Sequence, residues 1–205
     1  MPHRKIIRAT ALVLTLAGFV LFVPSAPRAD DMAMPAGMKG EVLAWIKDAD
    51  SKLQQLAEAM PEGKYKWSPG KGVRTVGEVY MHVAAANYGI PGMCGVQPPA
   101  GFSMETYEKS LTRKADIQKA LKESFSSMER AWLGFSDADL DKPVTLPFGP
   151  PTTVRGAYLL VLSHCHEHLG QSIAYARMNG VAPPWTAKQQ AAMKEGMEKM
   201  KAEKK

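Results

Sequence analysis

The sequence predicts an all-α protein, and three observations support this prediction. Beyond residue 35, apolar residues recur at three- and four-residue steps without any run of alternating β-branched residues. Two segments, Thr75–Glu78 and Thr186–Gln189, have the form of capping boxes that start helices. Of the 205 residues, 45% are hydrophobic and 22% are charged. This balance is typical of a globular domain with one core, and it argues against a disordered chain.

Residues 1–29 are predicted to be a signal peptide. A basic start is followed by a 15-residue apolar run from Ala9 to Val23, and small residues then lead to Ala29. The run is shorter than the roughly 20 residues that a membrane-spanning helix needs, although an uncleaved anchor is the alternative. We therefore expect an exported protein, periplasmic or secreted, with no stable membrane insertion after cleavage following Ala26 or Ala29.

Four helices are predicted in residues 36–185, a single bundle domain. The first has an apolar stripe that includes Trp45, Ile46 and Leu53, and it stops at a Pro-Glu-Gly break. The second begins after Thr75 and ends near Pro91, because proline cannot continue the hydrogen-bond ladder. The expected bounds of the first, third and fourth helices are Lys39–Met60, Thr112–Phe135 and Thr153–Asn179.

Residues 186–205 are predicted to form a charged C-terminal helix or tail. This segment has little apolar surface except its methionines, and it contains six lysines. With the basic presequence, it accounts for the net charge of +6, because Asp30–Trp185 holds 16 basic and 17 acidic side chains. We therefore expect no nucleic-acid binding by the core.

Two cysteines, Cys94 and Cys165, are predicted to be free thiols. Their spacing alone does not decide whether they pair. Cys165 lies inside the predicted fourth helix, whereas Cys94 follows a Gly/Pro break. A disulfide is the less favoured alternative.

The histidines are the candidates for chemistry. His164 and His168 lie one helical turn apart on the face that also carries the apolar residues of the fourth helix, whereas His166 points away. His82 lies on the flank of the second helix with Val79 and can also face the interior. Three imidazoles that converge can hold Zn²⁺ or a similar divalent ion with a coordination position left open. The alternative is that they are buried core histidines, which would leave several ring nitrogens short of partners.

The residues also resemble a known family. The segments VGEVYMHVAAAN, HCHEHLGQ and YARMNGVAPPW are similar to those of the DinB/YfiT-like superfamily of metalloenzymes over about residues 38–185. The resemblance implies a four-helix bundle with a non-standard helix order. It also implies a divalent metal, often Zn²⁺ or Ni²⁺, held by His82, His164 and His168. The apparent export signal departs from a family that is mostly cytoplasmic.

The expected function is that of a metal-dependent enzyme, a hydrolase or group-transfer catalyst acting on a small molecule. Glu167, beside the ligand face, is the candidate for proton transfer, with a solvated helix carboxylate as the alternative. Gln171 is expected to orient a histidine or a bound water. A non-catalytic metal-binding or stress-related bundle is the alternative function. We also consider a homodimer, although no residue pattern specifies its interface.

Overall fold

The structure, a computed structural model, describes residues 34–203 and is built from helices. The predicted signal peptide and the last two residues lie outside the described part. The five α-helices are α1 (Gly37–Ala59), α2 (Val76–Met93), α3 (Lys114–Gly134), α4 (Val154–Met178) and α5 (Pro184–Glu203). Single 3-10 turns at Glu62–Lys64, Tyr107–Lys109 and Asp137–Asp139 lie in the connections. No helix within residues 34–203 combines the length and the apolar character needed to cross a bilayer.

The first four helices form a bundle in which α1 and α2 each pack against both α3 and α4. α1 and α3 run antiparallel, and a lysine near the start of each helix reaches the last carbonyl groups of the other. Lys39 Nζ donates to Leu133 O at 3.1 Å, and Lys114 Nζ donates to Glu58 O at 2.7 Å and Met60 O at 2.9 Å. These bonds satisfy carbonyl groups that have no partner within their own helix.

α2 and α3 run in the same direction, although they are consecutive in the chain. Gly77 near the start of α2 lies against Ile117 near the start of α3, so close that an added Cβ would come within 3.0 Å of Ile117 Cδ1. Further along both helices, Asn87 Nδ2 donates to Ser124 Oγ at 3.2 Å. A parallel pair needs a connection that returns along the bundle. Residues 94–113 make that return, and the 3-10 turn Tyr107–Lys109 within them packs against α2.

The core is centred on aromatic and aliphatic side chains from all four helices. Trp132 on α3 is 0% exposed, its ring centroid lies 4.4 Å from that of Tyr158 on α4, and its Nε1 donates to Lys39 O at 2.9 Å. At the end of the bundle, Tyr65 is buried and donates its hydroxyl to Ala57 O at 2.6 Å. α5 packs on α1, and the side chains of residues 188–197 are exposed.

Three expectations from the sequence need correction. Trp45 was expected in the buried stripe of α1 but is 60% exposed, because it lies at the edge of the stripe, about 60° around the helix from Val42. α2 continues through Pro91 to Met93, since a proline in the last turn removes only one backbone hydrogen bond. α5 begins at Pro184 and not after Thr186, because proline is tolerated in the first turn of a helix.

The turn-rich stretch between α3 and α4 contains a small antiparallel ladder. Its strands are β1 (Pro143–Val144) and β2 (Thr152–Thr153), with Pro143 opposite Thr153. Each strand is too short to show an alternating pattern in the sequence. The ladder brings Thr153 to the start of α4, where its side chain accepts a hydrogen bond from Gly156 N at 3.2 Å. Cys94 and Cys165 are both free, as predicted.

Candidate metal centre

Three histidines from two helices meet on the inner side of the bundle. His82 lies on α2, and His164 and His168 lie on α4; one ligand nitrogen from each can be chosen so that all three lie within 4.8 Å of one another. The Nε2 atoms of His82 and His164 are 3.1 Å apart. Two imidazole nitrogens bound to one tetrahedral Zn²⁺ are about 3.3 Å apart, so this separation suits a shared ion.

The local sequence explains why these side chains converge. α4 is a continuous helix, so His164 and His168 occupy the same face one turn apart. α2 starts at the predicted capping box, in which Thr75 N donates to Glu78 Oε2 at 2.8 Å and Glu78 N donates to Thr75 Oγ1 at 3.2 Å. The capping box therefore sets where α2 begins and at which turn His82 faces α4.

Glu108, from the connection between α2 and α3, orients the His82 ring. Its Oε2 lies 2.9 Å from His82 Nδ1, and its Oε1 accepts from Arg74 Nε at 2.8 Å. Burial alone would raise the pKa of Glu108, but the hydrogen bond and charge of Arg74 hold it below its ordinary value. The ionised carboxylate can only accept, so His82 Nδ1 carries a proton and Nε2 presents a lone pair.

A hydrogen-bond chain orients His168 in the same way. The carbonyl of Arg74 can only accept, so the hydroxyl of Tyr175 donates to it, at 3.2 Å. The Tyr175 oxygen therefore accepts from Gln171 Nε2 at 3.0 Å, and Gln171 Oε1 faces His168 Nδ1 at 2.8 Å. His168 Nδ1 is thus the donor, and its Nε2 lone pair is free for a ligand role.

His164 has fewer partners of its own. Its Nδ1 is buried and has no hydrogen-bond partner among residues 34–203. Burial lowers the pKa of His164 to about 3, with smaller contributions from His168 and His82. Burial also lowers the pKa of His82, followed by the charge of Arg74. His82 and His164 are therefore neutral at pH 7, as metal coordination requires, and the donor set fits a divalent ion.

The other sequence-predicted residues lie in different surroundings. Gln171 Oε1 lies 2.8 Å from His168 Nδ1, and its role in a metal site stays a prediction. Glu167 is on the exposed side of α4, and its role in proton transfer stays a prediction. His166 lies outside the cluster, as predicted, with Nδ1 3.0 Å from Leu162 O and its ring 6.3 Å from that of Trp45.

Sequence reasoning missed Glu108, Arg74 and Tyr175. Tyr175 follows Gln171 by one helical turn, so its place on the histidine face could have suggested a role. Glu108 and Arg74 lie in connections with no periodic pattern. Their approach to His82 depends on the path of residues 94–113, which no local motif in the sequence indicates.

Replacing Glu108 by Gln should weaken metal binding by about 10–100-fold, the usual effect of removing a group that orients a ligand. The amide can still fill the space, but it no longer carries the negative charge that holds a proton on His82 Nδ1. Titration calorimetry of metal-free protein measures the change. Glu105, an exposed carboxylate three residues away, provides the matched control Glu105→Gln. Equal losses in the two variants would contradict the role of Glu108.

The stability of the metal-free protein should fall as the pH drops below about 6.5. The pKa of His164 is about 6.5 in the unfolded chain and about 3 in the folded chain. At a pH between these two values, the unfolded chain binds a proton at His164 that the folded chain does not. Protonation then favours unfolding, whereas above pH 6.5 this group has no effect. Urea unfolding with a chelator at pH 7.5 and 5.0 measures the dependence, and His164→Gln should reduce it. An unchanged pH dependence in that variant would contradict the assignment.

The chain is similar to one known family and to several solved structures. A family model described as "DinB superfamily" matches residues 46–172. A DinB-like protein from Bacillus cereus ATCC 10987 is 20% identical, with 72% of this chain and 95% of that chain covered at a TM-score of 0.61. YfiT from Bacillus subtilis, described as a probable metal-dependent hydrolase with an unusual four-helix bundle topology, is 16% identical, with coverages of 74% and 94% and a TM-score of 0.56.

A mycothiol-dependent maleylpyruvate isomerase is also similar, at 15% identity and a TM-score of 0.53, with 70% of this chain and 62% of that chain covered. None of the curated proteins compared with the chain matches it. At these identities the solved structures show a common fold. They bear out the predicted helical bundle, and the unusual topology described for YfiT agrees with the non-standard helix order that the sequence resemblance implied.

Proposed function

This chain belongs to the DinB superfamily, and from that premise and its histidine cluster we propose that it is an exported, divalent-metal-dependent enzyme acting on a small molecule. The reaction class is hydrolysis or group transfer. The observation that carries the proposal is the arrangement of His82, His164 and His168 within 4.8 Å. The solved relative YfiT is described as a probable metal-dependent hydrolase, which supports the same reaction class here.

The proposed metal ligands are His82, His164 and His168, and the proposed ion is Zn²⁺ or Ni²⁺. Such an ion supplies Lewis acidity, which polarises an electrophilic group of the substrate. Imidazole nitrogens suit both ions, and three protein ligands leave room for a substrate atom. Glu108 and Gln171 hold protons on the Nδ1 atoms of His82 and His168, so the Nε2 atoms of these rings stay available.

The residues around the cluster also hold its histidine side chains in a defined geometry before substrate binds. His168, on α4, is only 6% exposed, whereas the side chain of His82, on α2, is 23% exposed. The cluster is therefore closed on the bundle side and accessible from the side of His82. Preorganised ligands of this kind lose little freedom on binding, which favours tight and specific sites.

The experiment that tests the proposal is a turnover screen on small esters, amides and thiol-reactive electrophiles. Activity should disappear on chelation and return with Zn²⁺ or Ni²⁺. His82→Ala should lose activity while circular dichroism shows that it stays folded, and the matched variant His166→Ala should keep it. If the metal raises the melting temperature but no substrate is turned over, the chain is a non-catalytic metal-binding bundle, and the proposal of an enzyme is wrong.

Export is proposed on the sequence of residues 1–29 alone, which lie outside the described residues. Expression of the full chain in a Gram-negative host should give a periplasmic product that begins close to residue 27 or 30. Mass spectrometry of the purified product measures its start. Full-length protein in the membrane fraction would instead indicate an uncleaved anchor.

A further inference from the structure

A cavity of about 560 Å³ lies beside the histidine cluster. Its lining includes Arg74, Glu78, Glu108, Lys109 and Gln171. Glu108 and Gln171 contact the Nδ1 atoms of His82 and His168, so the cavity borders the residues that orient these two rings, although no histidine of the cluster lines it. Its volume is in the range of sites that bind small molecules.

The two carboxylates of the cavity already have partners. Glu78 accepts a hydrogen bond from the backbone of Thr75 in the capping box. Glu108 has one oxygen on Arg74 and the other on His82. Glu108 therefore has both oxygens engaged, and Glu78 uses Oε2 to cap the start of α2.

The two cations of the cavity have donors to spare. Arg74 uses its Nε for Glu108, whereas a guanidinium has five N–H donors. Lys109 is exposed, and among residues 34–203 no ion pair engages its ammonium group within 4 Å. The lining holds two cations and two carboxylates, and its spare donors are the remaining N–H groups of Arg74 and the ammonium group of Lys109.

The surrounding structure fixes the position of Arg74 and of the backbone turn that carries Lys109. Arg74 is held through its side chain by Glu108 and through its carbonyl by Tyr175. Lys109 follows Glu108 in the single turn Tyr107–Lys109, which is anchored by the edge-to-face packing of Tyr107 on Tyr88, with ring centroids 5.8 Å apart. Arg74, which is held in place before binding, loses less freedom when an anion arrives.

We propose that the substrate is a small molecule that carries a carboxylate or another oxyanion, which Arg74 and Lys109 bind while its reactive group faces the histidine cluster. This inference rests on the proposed function, because it assigns the substrate class of the same site. Guanidinium and ammonium groups bind oxyanions through charge-assisted hydrogen bonds. Neutral analogues of the same size lack this contribution.

The test compares binding of succinate and inorganic phosphate with binding of neutral succinamide, by titration calorimetry of the metal-loaded and the metal-free protein. At least one of the two anions should bind more tightly than succinamide. Lys109→Ala should weaken anion binding by up to about fivefold, the upper value for one exposed ion pair. Lys109→Arg should restore it, and Lys122→Ala, which removes an exposed lysine of α3 outside this cavity, should leave it unchanged.

Three results would overturn the inference. Anions that bind no better than succinamide, equal effects of Lys109→Ala and Lys122→Ala, or no recovery in Lys109→Arg would each do so. If one ion per chain is still bound, the proposed metal function survives such a result. If the protein binds no metal, that function fails, and the titrations of the metal-free protein still decide whether Lys109 binds anions.

Discussion

Replacing His164 by Ala should abolish tight binding of a divalent ion, whereas His166→Ala should leave it intact. Both residues lie on α4 two positions apart, so the two changes alter the same helix in similar ways. Only His164 belongs to the cluster, with Nε2 3.1 Å from His82 Nε2. The loss of a direct ligand should exceed the roughly 10–100-fold effect of removing an orienting group.

Metal analysis of protein purified without an affinity tag should find about one ion per chain in the parent and in His166→Ala. Titration calorimetry then gives the affinities, and thermal unfolding checks that His164→Ala stays folded. Equal losses in the two variants would contradict the assigned site. An ion bound with parental affinity by His164→Ala would do the same.

Replacing Trp132 by Ala should lower the free energy of unfolding by about 3–5 kcal/mol. The side chain is fully buried, packs on Tyr158 and donates to Lys39 O at 2.9 Å. Alanine would leave a cavity between α3 and α4 and would remove the hydrogen bond that joins α3 to α1. Because a domain is typically stable by only about 5–15 kcal/mol, this loss is a large share of the total.

Trp45→Ala is the matched control, since it removes the same side chain from a site that is 60% exposed. Its effect on stability should stay within about 0.5 kcal/mol. Urea unfolding followed by circular dichroism measures both variants at the same pH. Comparable losses would show that Trp45 is as important to the core as Trp132, contrary to the structure.

The start of α2 and the histidine pair of α4 could be predicted because they depend on local sequence. A capping box acts within one turn, and residues four apart share a helix face whatever surrounds them. The edge of a buried stripe is less certain. Trp45 lies at that edge, and only the packing of α1 on α4 decides that its ring stays outside.

Glu108 could not be predicted for a different reason. It is 26 residues from His82 in the chain, and their contact depends on α2 and α3 being parallel. A connection that turned back directly would make these helices antiparallel and would place Glu108 elsewhere. Its role therefore follows from topology, which no short motif specifies.

The order of the helices around the bundle also affects how the protein folds. Passing around it, the helices follow the order α1, α3, α2, α4, so three of the four neighbouring pairs join segments that are distant in the chain. Closing such long loops costs entropy before the contacts form, and high contact order slows folding. We expect slower refolding than for an up-and-down bundle of similar size. The α2–α4 pair that assembles the histidines is one of these distant pairs, so an ion has its complete site only after this long-range pairing has formed.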